Sequence, residues 1–342
     1  MANTILVTGG TGYIGGELIE LLLNAGKTVH TTVRNAAKSE ARLRGRWADA
    51  EERLKVFQAD LENEAGWAEA SAGCDAVAHV ASPFPLAVPK DENELIVPAR
   101  DGALRALKFA DGAGIKRFVL TSSAAAIAYG HPLAKSQFTK DDWTVVDDSS
   151  VAAYAKSKTI AEQVSREWVA ANAPDMEFCS INPVAVFGPI ANDDLSTSIE
   201  LVQKLLDGTI PLAPNMGIGV IDIRDVAQAH FNALMADAET VRDGRFPMQD
   251  EFLWLKDMAA TLRRRVPELA GKSPTRSMPD FLVKMLAPFV AEMNTLKNEL
   301  GKVRDVDGTH TAKVLGLDYI PAAQTLEDTA RSLAAHGIIK TQ

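Results

Sequence analysis

The 342-residue chain is predicted to be an α/β protein, a doubly wound parallel sheet with a smaller, mostly helical lobe. Three observations predict this. Short β-branched runs alternate with longer helical stretches through the first half. The runs are apolar along their whole length, as strands covered on both faces must be. After Asn182 the texture changes, with prolines and glycines clustered at Pro183, Gly188, Pro189, Gly208, Pro211, Pro214, Gly217 and Gly219.

The elements follow in order. Thr4–Thr8 reads as a buried strand, and Tyr13–Asn24 as a helix ended by Gly26. Thr28–Val33 is the next strand and Ala36–Glu52 a polar helix. Further strands are expected at Leu54–Gln58, Ala76–Val80, Phe118–Thr121 and Glu177–Ile181, with helices at Glu94–Ala113 and Ala152–Ala173. Right-handed crossovers between such units give a doubly wound sheet. Two helices interrupt the Pro/Gly-rich region, near Leu195–Leu206 and Val226–Ala238. From Gly244 onward the chain reads as helical and charged, so the C-terminal third is expected to form a lobe over the sheet edge.

Composition narrows the function. A chain 46% hydrophobic and 24% charged is not disordered as a whole. A net charge of -9 and a pI near 5.3 argue against nucleic acid or an anionic membrane as the main partner, since both need clustered cations. Two cysteines, Cys74 and Cys179, do not make a disulfide framework at this length and read as buried thiols. The first residues lack a basic segment followed by an apolar core, and no run approaches the ~20 apolar residues a membrane span needs. The default expectation is a soluble cytoplasmic protein. No metal site is expected.

Chemistry begins at Thr8-Gly9-Gly10-Thr11-Gly12-Tyr13-Ile14-Gly15, which leaves the first strand and opens the first helix. Gly9 allows a sharp turn, Gly12 lets a pyrophosphate approach the backbone, and Gly15 lets helix and strand pack closely. The helix N-terminus offers free N–H groups and a positive dipole end. This is a dinucleotide loop on a Rossmann-type sheet, with Gly9, Thr11, Gly12, Tyr13 and Ile14 against the cofactor. The second strand ends in Arg34, with Lys38 one turn on and no carboxylate before Glu40. An arginine there accommodates a 2′-phosphate, so NADPH is expected over NADH. Asp60 and Leu61, after the third strand, would meet the adenine edge. Val80, Ala81 and Ser82 would run beside the nicotinamide ribose, and His79 reads as a core histidine.

Tyr154-Ala155-Lys156-Ser157-Lys158 places Tyr154 and Lys158 on one helix face. A free tyrosine titrates near ~10 and needs a neighbouring cation to act at neutral pH. Lys158 supplies that cation and can also hold ribose hydroxyls. Lys156 points to another face and should be solvated. The third partner lies in Thr121-Ser122-Ser123 at a strand end. Ser123 is favoured because it precedes the turn Ala124-Ala125-Ala126, and Ser122 is the runner-up.

Glycine loop, Thr-Ser-Ser strand end and Tyr-x-x-x-Lys, in this order, resemble the extended branch of the short-chain dehydrogenase/reductase superfamily. The dihydroflavonol 4-reductase, cinnamoyl-CoA reductase and aldehyde reductase group is nearest in pattern. Its further signatures are matched by Arg34-Asn35, by His79 to Pro83, by Asn182 to Pro189 and by Ile223 to Ala227, over Thr4 to about Leu333 and most weakly from Asp250 to Gly308. The resemblance implies a Ser123–Tyr154–Lys158 carbonyl reductase, reversible as an alcohol dehydrogenase, with Pro183 and Val184 lining the nicotinamide. The expected division is 1–182 with 216–240 for the NADP-binding body, and 183–215 with 241–342 for the substrate lobe.

Two other functions compete. A nucleotide-sugar epimerase or dehydratase needs cations for a diphosphate, but from Ala171 to Ile223 the only Lys or Arg is Lys204, and Arg224 follows. A non-catalytic NADP sensor has no need of the Tyr–Lys pair. The loop residues Ile190, Leu212, Met216 and Ile218 suit a small, largely apolar carbonyl or alcohol substrate. Pocket candidates are Phe84, Ala125, Tyr129, Phe187 and Met216, each equally explicable as core.

Overall fold

A computed structural model describes residues 2–50, 52–83, 89–192, 195–290, 293 and 296–340. Seven strands form the main sheet: β1 (Thr4–Thr8), β2 (Thr28–Val33), β3 (Leu54–Gln58), β4 (Ala76–His79), β5 (Arg117–Thr121), β6 (Glu177–Pro183) and β7 (Gly244–Met248). Their order is β7-β6-β5-β4-β1-β2-β3 and every pairing is parallel. The order reverses at β1 and β4, where a doubly wound sheet opens its ligand crevice at the strand C-termini.

Alternate strand residues feed two cores. On one face Ile5, Val7, Val29, Val119 and Ile181 pack with helices α1 (Tyr13–Asn24) and α7 (Ile223–Met235). On the other, Leu6, Val77, Phe118, Leu120 and Phe178 pack with α3 (Trp67–Ser71), α4 (Asn93–Gly112) and α5 (Ala153–Asn172). Burial on both faces explains the continuously apolar runs. The polar helix expected at Ala36–Glu52 is α2, Ala36–Arg46, followed by a 3-10 turn at Ala48–Ala50. Asn35 caps it by accepting from Lys38 N at 3.0 Å.

The lobe has its own core. Ile199, Val202, Leu205 and Leu206 of helix α6 (Thr197–Asp207) meet Leu255, Met258 and Leu262 of the 255–265 helix and Leu326, Ala330 and Leu333 of the 322–335 helix. Beside it lies a three-stranded sheet of Ala185–Phe187, Gly217–Asp222 and Glu251–Trp254.

The chain after Gly244 departs from the helical expectation. Gly244–Met248 is the edge strand of the main sheet, where the expected division places 241–342 in the lobe, and Glu251–Trp254 pairs antiparallel with Gly217–Val220. Gly244 and Pro247 are poor strand formers, so β7 carries little strand signal and falls within the helical expectation. Proline tolerates only a sheet edge, and β7 is an edge strand. Among the described residues no helix is long and apolar enough to cross a membrane.

Candidate active site

The C-terminal ends of β1, β4, β5 and β6 bring the sequence-selected residues together. Gly9 sits at φ 72°, which the turn out of β1 requires, and its N–H donates to Thr32 O at 3.1 Å. A Cβ on Gly15 would stand 2.5 Å from Gly9 O. Gly15→Ala is therefore expected to push the loop away from α1, to cost about 1–3 kcal/mol of stability and to weaken dinucleotide binding. Thermal melts with and without the dinucleotide check this; a parental melt and affinity would disprove the close-packing role.

Gly12 caps α1 with no side-chain hydrogen bond, and a Cβ there would meet only Gly9 O at 3.3 Å, so this face of the loop opens outward. The first-turn N–H groups thus have room for an anion. Thr11 and Ile14 are half-buried beside it. Tyr13 instead packs its ring between the main-sheet core and the lobe core. Burial and the Asp222 carboxylate push its hydroxyl far above the ordinary tyrosine range. Arg34 and Lys38 lie exposed past the end of β2, and neither side chain has a hydrogen-bond or ion-pair partner among the described residues. A loop open to a pyrophosphate and two unengaged cations one strand away fit a 2′-phosphorylated dinucleotide.

Asp60 Oδ1 accepts from Glu62 N at 3.0 Å, and Asp60 O accepts from Trp67 Nε1 at 2.8 Å. Leu61 packs over Gly102 of α4, where a Cβ would lie 2.9 Å from it. Thr8 Oγ1 accepts from Val80 N (3.0 Å) and Ala81 N (2.9 Å), which draws the β4 end against the glycine loop. Ser82 follows, half-buried. His79 is buried beside Thr8, at 3.0 Å, and burial with the Lys158 cation presses its pKa down to about 3. It is a neutral core histidine.

The two serines have different surroundings. Ser122 Oγ donates to Glu162 Oε2 at 2.6 Å and turns inward. Ser123 hydrogen-bonds Tyr154, lies 3.5 Å from Pro183 O, and accepts from Ala125 N at 3.1 Å. Burial pushes the Tyr154 phenol up to about 12, with the Ser123 hydroxyl holding it lower. Lys158 is 8% exposed, and its Nζ donates to Thr121 O at 3.3 Å. Burial pulls its pKa down to about 8, and the Glu162 charge opposes that fall. Lys156 is not free in solvent as expected; it pairs with Glu92 at 2.7 Å, bracing α5 against the start of α4.

Pro183 ends β6, and Val184 packs against Ala124 and Ile127, so this strand end flanks Ser123. Of the pocket candidates, Ala125 and Tyr129 pack beside Tyr154. Arg304 lies over the Tyr129 ring, 4.1 Å from its centroid. Met216 is half-buried on the lobe core. Phe187 is fully buried within that core, in one cluster with Ile199 and Val202, and so reads as core. Phe84 falls outside the described residues. Arg224, the cation a diphosphate would need, is held by Asp222 (2.7 Å) and Asp328 (2.7 Å).

Sequence reasoning missed Glu162, which is completely buried, and Arg245, which pairs with it at 2.8 Å. The available signal was spacing: Glu162 lies one turn past Lys158 on the same helix face.

Residues 5–246 match the family described as NAD dependent epimerase/dehydratase. A cinnamoyl-CoA reductase of Medicago truncatula is 33% identical over 340 residues, covering 97% of this chain and 96% of the relative. An anthocyanidin reductase of Vitis vinifera is 31% identical over 289 residues, covering 80% and 83%. The crystal structure of yeast methylglyoxal/isovaleraldehyde reductase complexed with NADPH superposes with a TM-score of 0.80 at 25% identity, covering 98% of this chain and 99% of that one.

Proposed function

The chain belongs to the NAD dependent epimerase/dehydratase family, and from that premise we propose that it is an NADPH-dependent reductase of small, largely apolar aldehydes or ketones. The observation that carries the reading is the meeting of Ser123, Tyr154 and Lys158 at the β5 end beside the open glycine loop. Reductases of carbonyl compounds among the relatives, one structure of which contains NADPH, support it.

The glycine loop and α1 N-terminus would hold the pyrophosphate, Arg34 and Lys38 the 2′-phosphate, and Lys158 the nicotinamide ribose. Val80, Ala81, Ser82, Pro183 and Val184 would flank the ring. Bound NADPH supplies a hydride for the substrate carbonyl carbon. Ser123 Oγ–H donates to the carbonyl oxygen and orients it. Tyr154 transfers its phenolic proton to that oxygen as negative charge develops there, which completes the alcohol. Lys158 lowers the cost of leaving Tyr154 as phenolate.

The epimerase reading loses support because Arg224 is committed to two carboxylates and Lys204 pairs with Glu200 at 3.4 Å on α6. NADPH oxidation followed against a panel of aldehydes, ketones and diketones tests the proposal. Turnover of a nucleotide sugar with no turnover of any carbonyl would refute it.

Arg34 carries the cofactor preference. Arg34→Asp replaces a charge-assisted phosphate contact with a repulsion, so NADPH affinity is expected to fall by roughly 1.5–3 kcal/mol while NADH gains relative to it. Kinetics with both cofactors check this; equal use of NADH and NADPH by the parent would remove the role of Arg34.

A further inference from the structure

Glu162 is completely buried, and no step above uses it. It continues the stripe of Tyr154 and Lys158 along α5, one turn further on. We propose that Glu162 is a positioning residue for carbonyl reduction, tying the two strand ends around Ser123 and keeping the Lys158 ammonium charged; this rests on the reductase reading above.

The first role follows from its hydrogen bonds. Glu162 Oε2 accepts from Ser122 Oγ (2.6 Å) and from Asn182 Nδ2 (2.7 Å). Ser122 precedes Ser123 at the end of β5. Asn182 precedes Pro183 at the end of β6, and its Nδ2 also donates to Ser123 O at 3.3 Å. A single carboxylate oxygen thus couples both backbones that place the Ser123 hydroxyl.

The other oxygen is anchored from outside. Oε1 accepts from Arg245 Nε (2.8 Å), Arg166 Nε (3.2 Å) and Ser180 Oγ (2.9 Å). Arg245 also donates to Ala126 O at 2.9 Å, in the turn after Ser123, and its guanidinium lies 3.6 Å from the Trp143 ring centroid. The carboxylate is therefore immobilised before any substrate arrives, as a positioning group must be.

The second role follows from charge. The small cavity beside Lys158 is lined by His79 from β4, Ala99 and Ala103 from α4, Leu120, Thr121 and Ser122 around the β5 end, and Glu162 from α5. Tyr154 is the other titratable neighbour on α5. His79 is neutral, so Glu162 is the anion facing the ammonium among these lining residues. Behind it, Arg166 and Arg245 repel Lys158 once the carboxylate charge is gone.

The test measures kcat, KM for the carbonyl and NADPH affinity by fluorescence titration between about pH 6 and 10, a span that brackets Lys158, which burial pulls down to about 8. Parent, Glu162→Gln, Glu162→Asp and Ser122→Ala are compared, with thermal melts for folding. Glu162→Gln is expected to move the falling alkaline limb of kcat and of NADPH affinity down by about one pH unit, with KM within about threefold. Glu162→Asp, which keeps the charge, should restore the limb. Ser122→Ala should leave the limb in place and lower kcat about fivefold, the worth of one hydrogen bond. Parental limbs in folded Glu162→Gln would overturn the proposal. If Glu162→Gln fails to fold, parental kcat in Ser122→Ala overturns it and a reduced kcat at parental melting supports it. The NADPH titration reads the Lys158 charge without turnover, so a parent that reduces no carbonyl refutes the reductase reading and still leaves Glu162 under test.

Discussion

Tyr154→Phe is expected to lower kcat by roughly 10²–10⁴-fold, the usual contribution of a positioned general acid, and to leave NADPH affinity nearly unchanged. The ring packs with Tyr129 against Ala125, Val151 and Ala155, and phenylalanine keeps that packing. What disappears is the phenolic proton that the proposed mechanism delivers to the carbonyl oxygen. At about 12, the phenol is protonated throughout the neutral range, as reduction requires. The reverse reaction needs the phenolate and should speed up as pH rises. Separate measurements of turnover and cofactor affinity check the assignment. Near-normal kcat in Tyr154→Phe, on a carbonyl the parent reduces, would mean another group delivers the proton.

Lys158→Ala should damage both turnover and binding. The ammonium would donate charge-assisted hydrogen bonds to ribose hydroxyls, so NADPH affinity is expected to weaken by about 1.5–3 kcal/mol. Turnover should fall further, because in the proposed mechanism Lys158 stabilises the Tyr154 phenolate. The variant should still fold, since Arg245 and Arg166 continue to neutralise Glu162. The parent carries a matching pH signature. Lys158 loses its proton as pH rises through about 8, so kcat/KM for reduction is expected to fall across that range. In Lys158→Ala the limb should be absent. A parental limb in the variant would assign that titration to a different group.

Much of the candidate site was legible because the chemistry proposed for it depends on short-range spacing. Gly9 to Gly15 must open a helix directly after a strand, and Tyr154 and Lys158 must lie one helical turn apart; both are visible in a few consecutive residues. The two serines are ranked in the sequence only by the turn that follows Ser123, which leaves Ser122 open. Adjacent residues at a strand end point to opposite sides, and only the location of Glu162, forty residues on, shows which hydroxyl turns inward. Phe187 reads equally as pocket or core until the lobe packs around it.

The amino-acid sequence by itself determined the parallel sheet through β6, the order of the site elements, and the family, since strands buried on both faces and phosphate-binding turns leave local composition marks. Only the tertiary structure decided that Gly244–Met248 completes the sheet, that Arg224 is occupied by Asp222 and Asp328, and that Glu162 joins β5, β6, α5 and β7 at one buried point. Each of these depends on at least one partner far away in the chain, as Asp328 is from Arg224. A glycine- and proline-bearing edge strand or a lone helix carboxylate carries no periodicity that reveals its partner; the long-range pairing supplies the free energy that fixes its conformation.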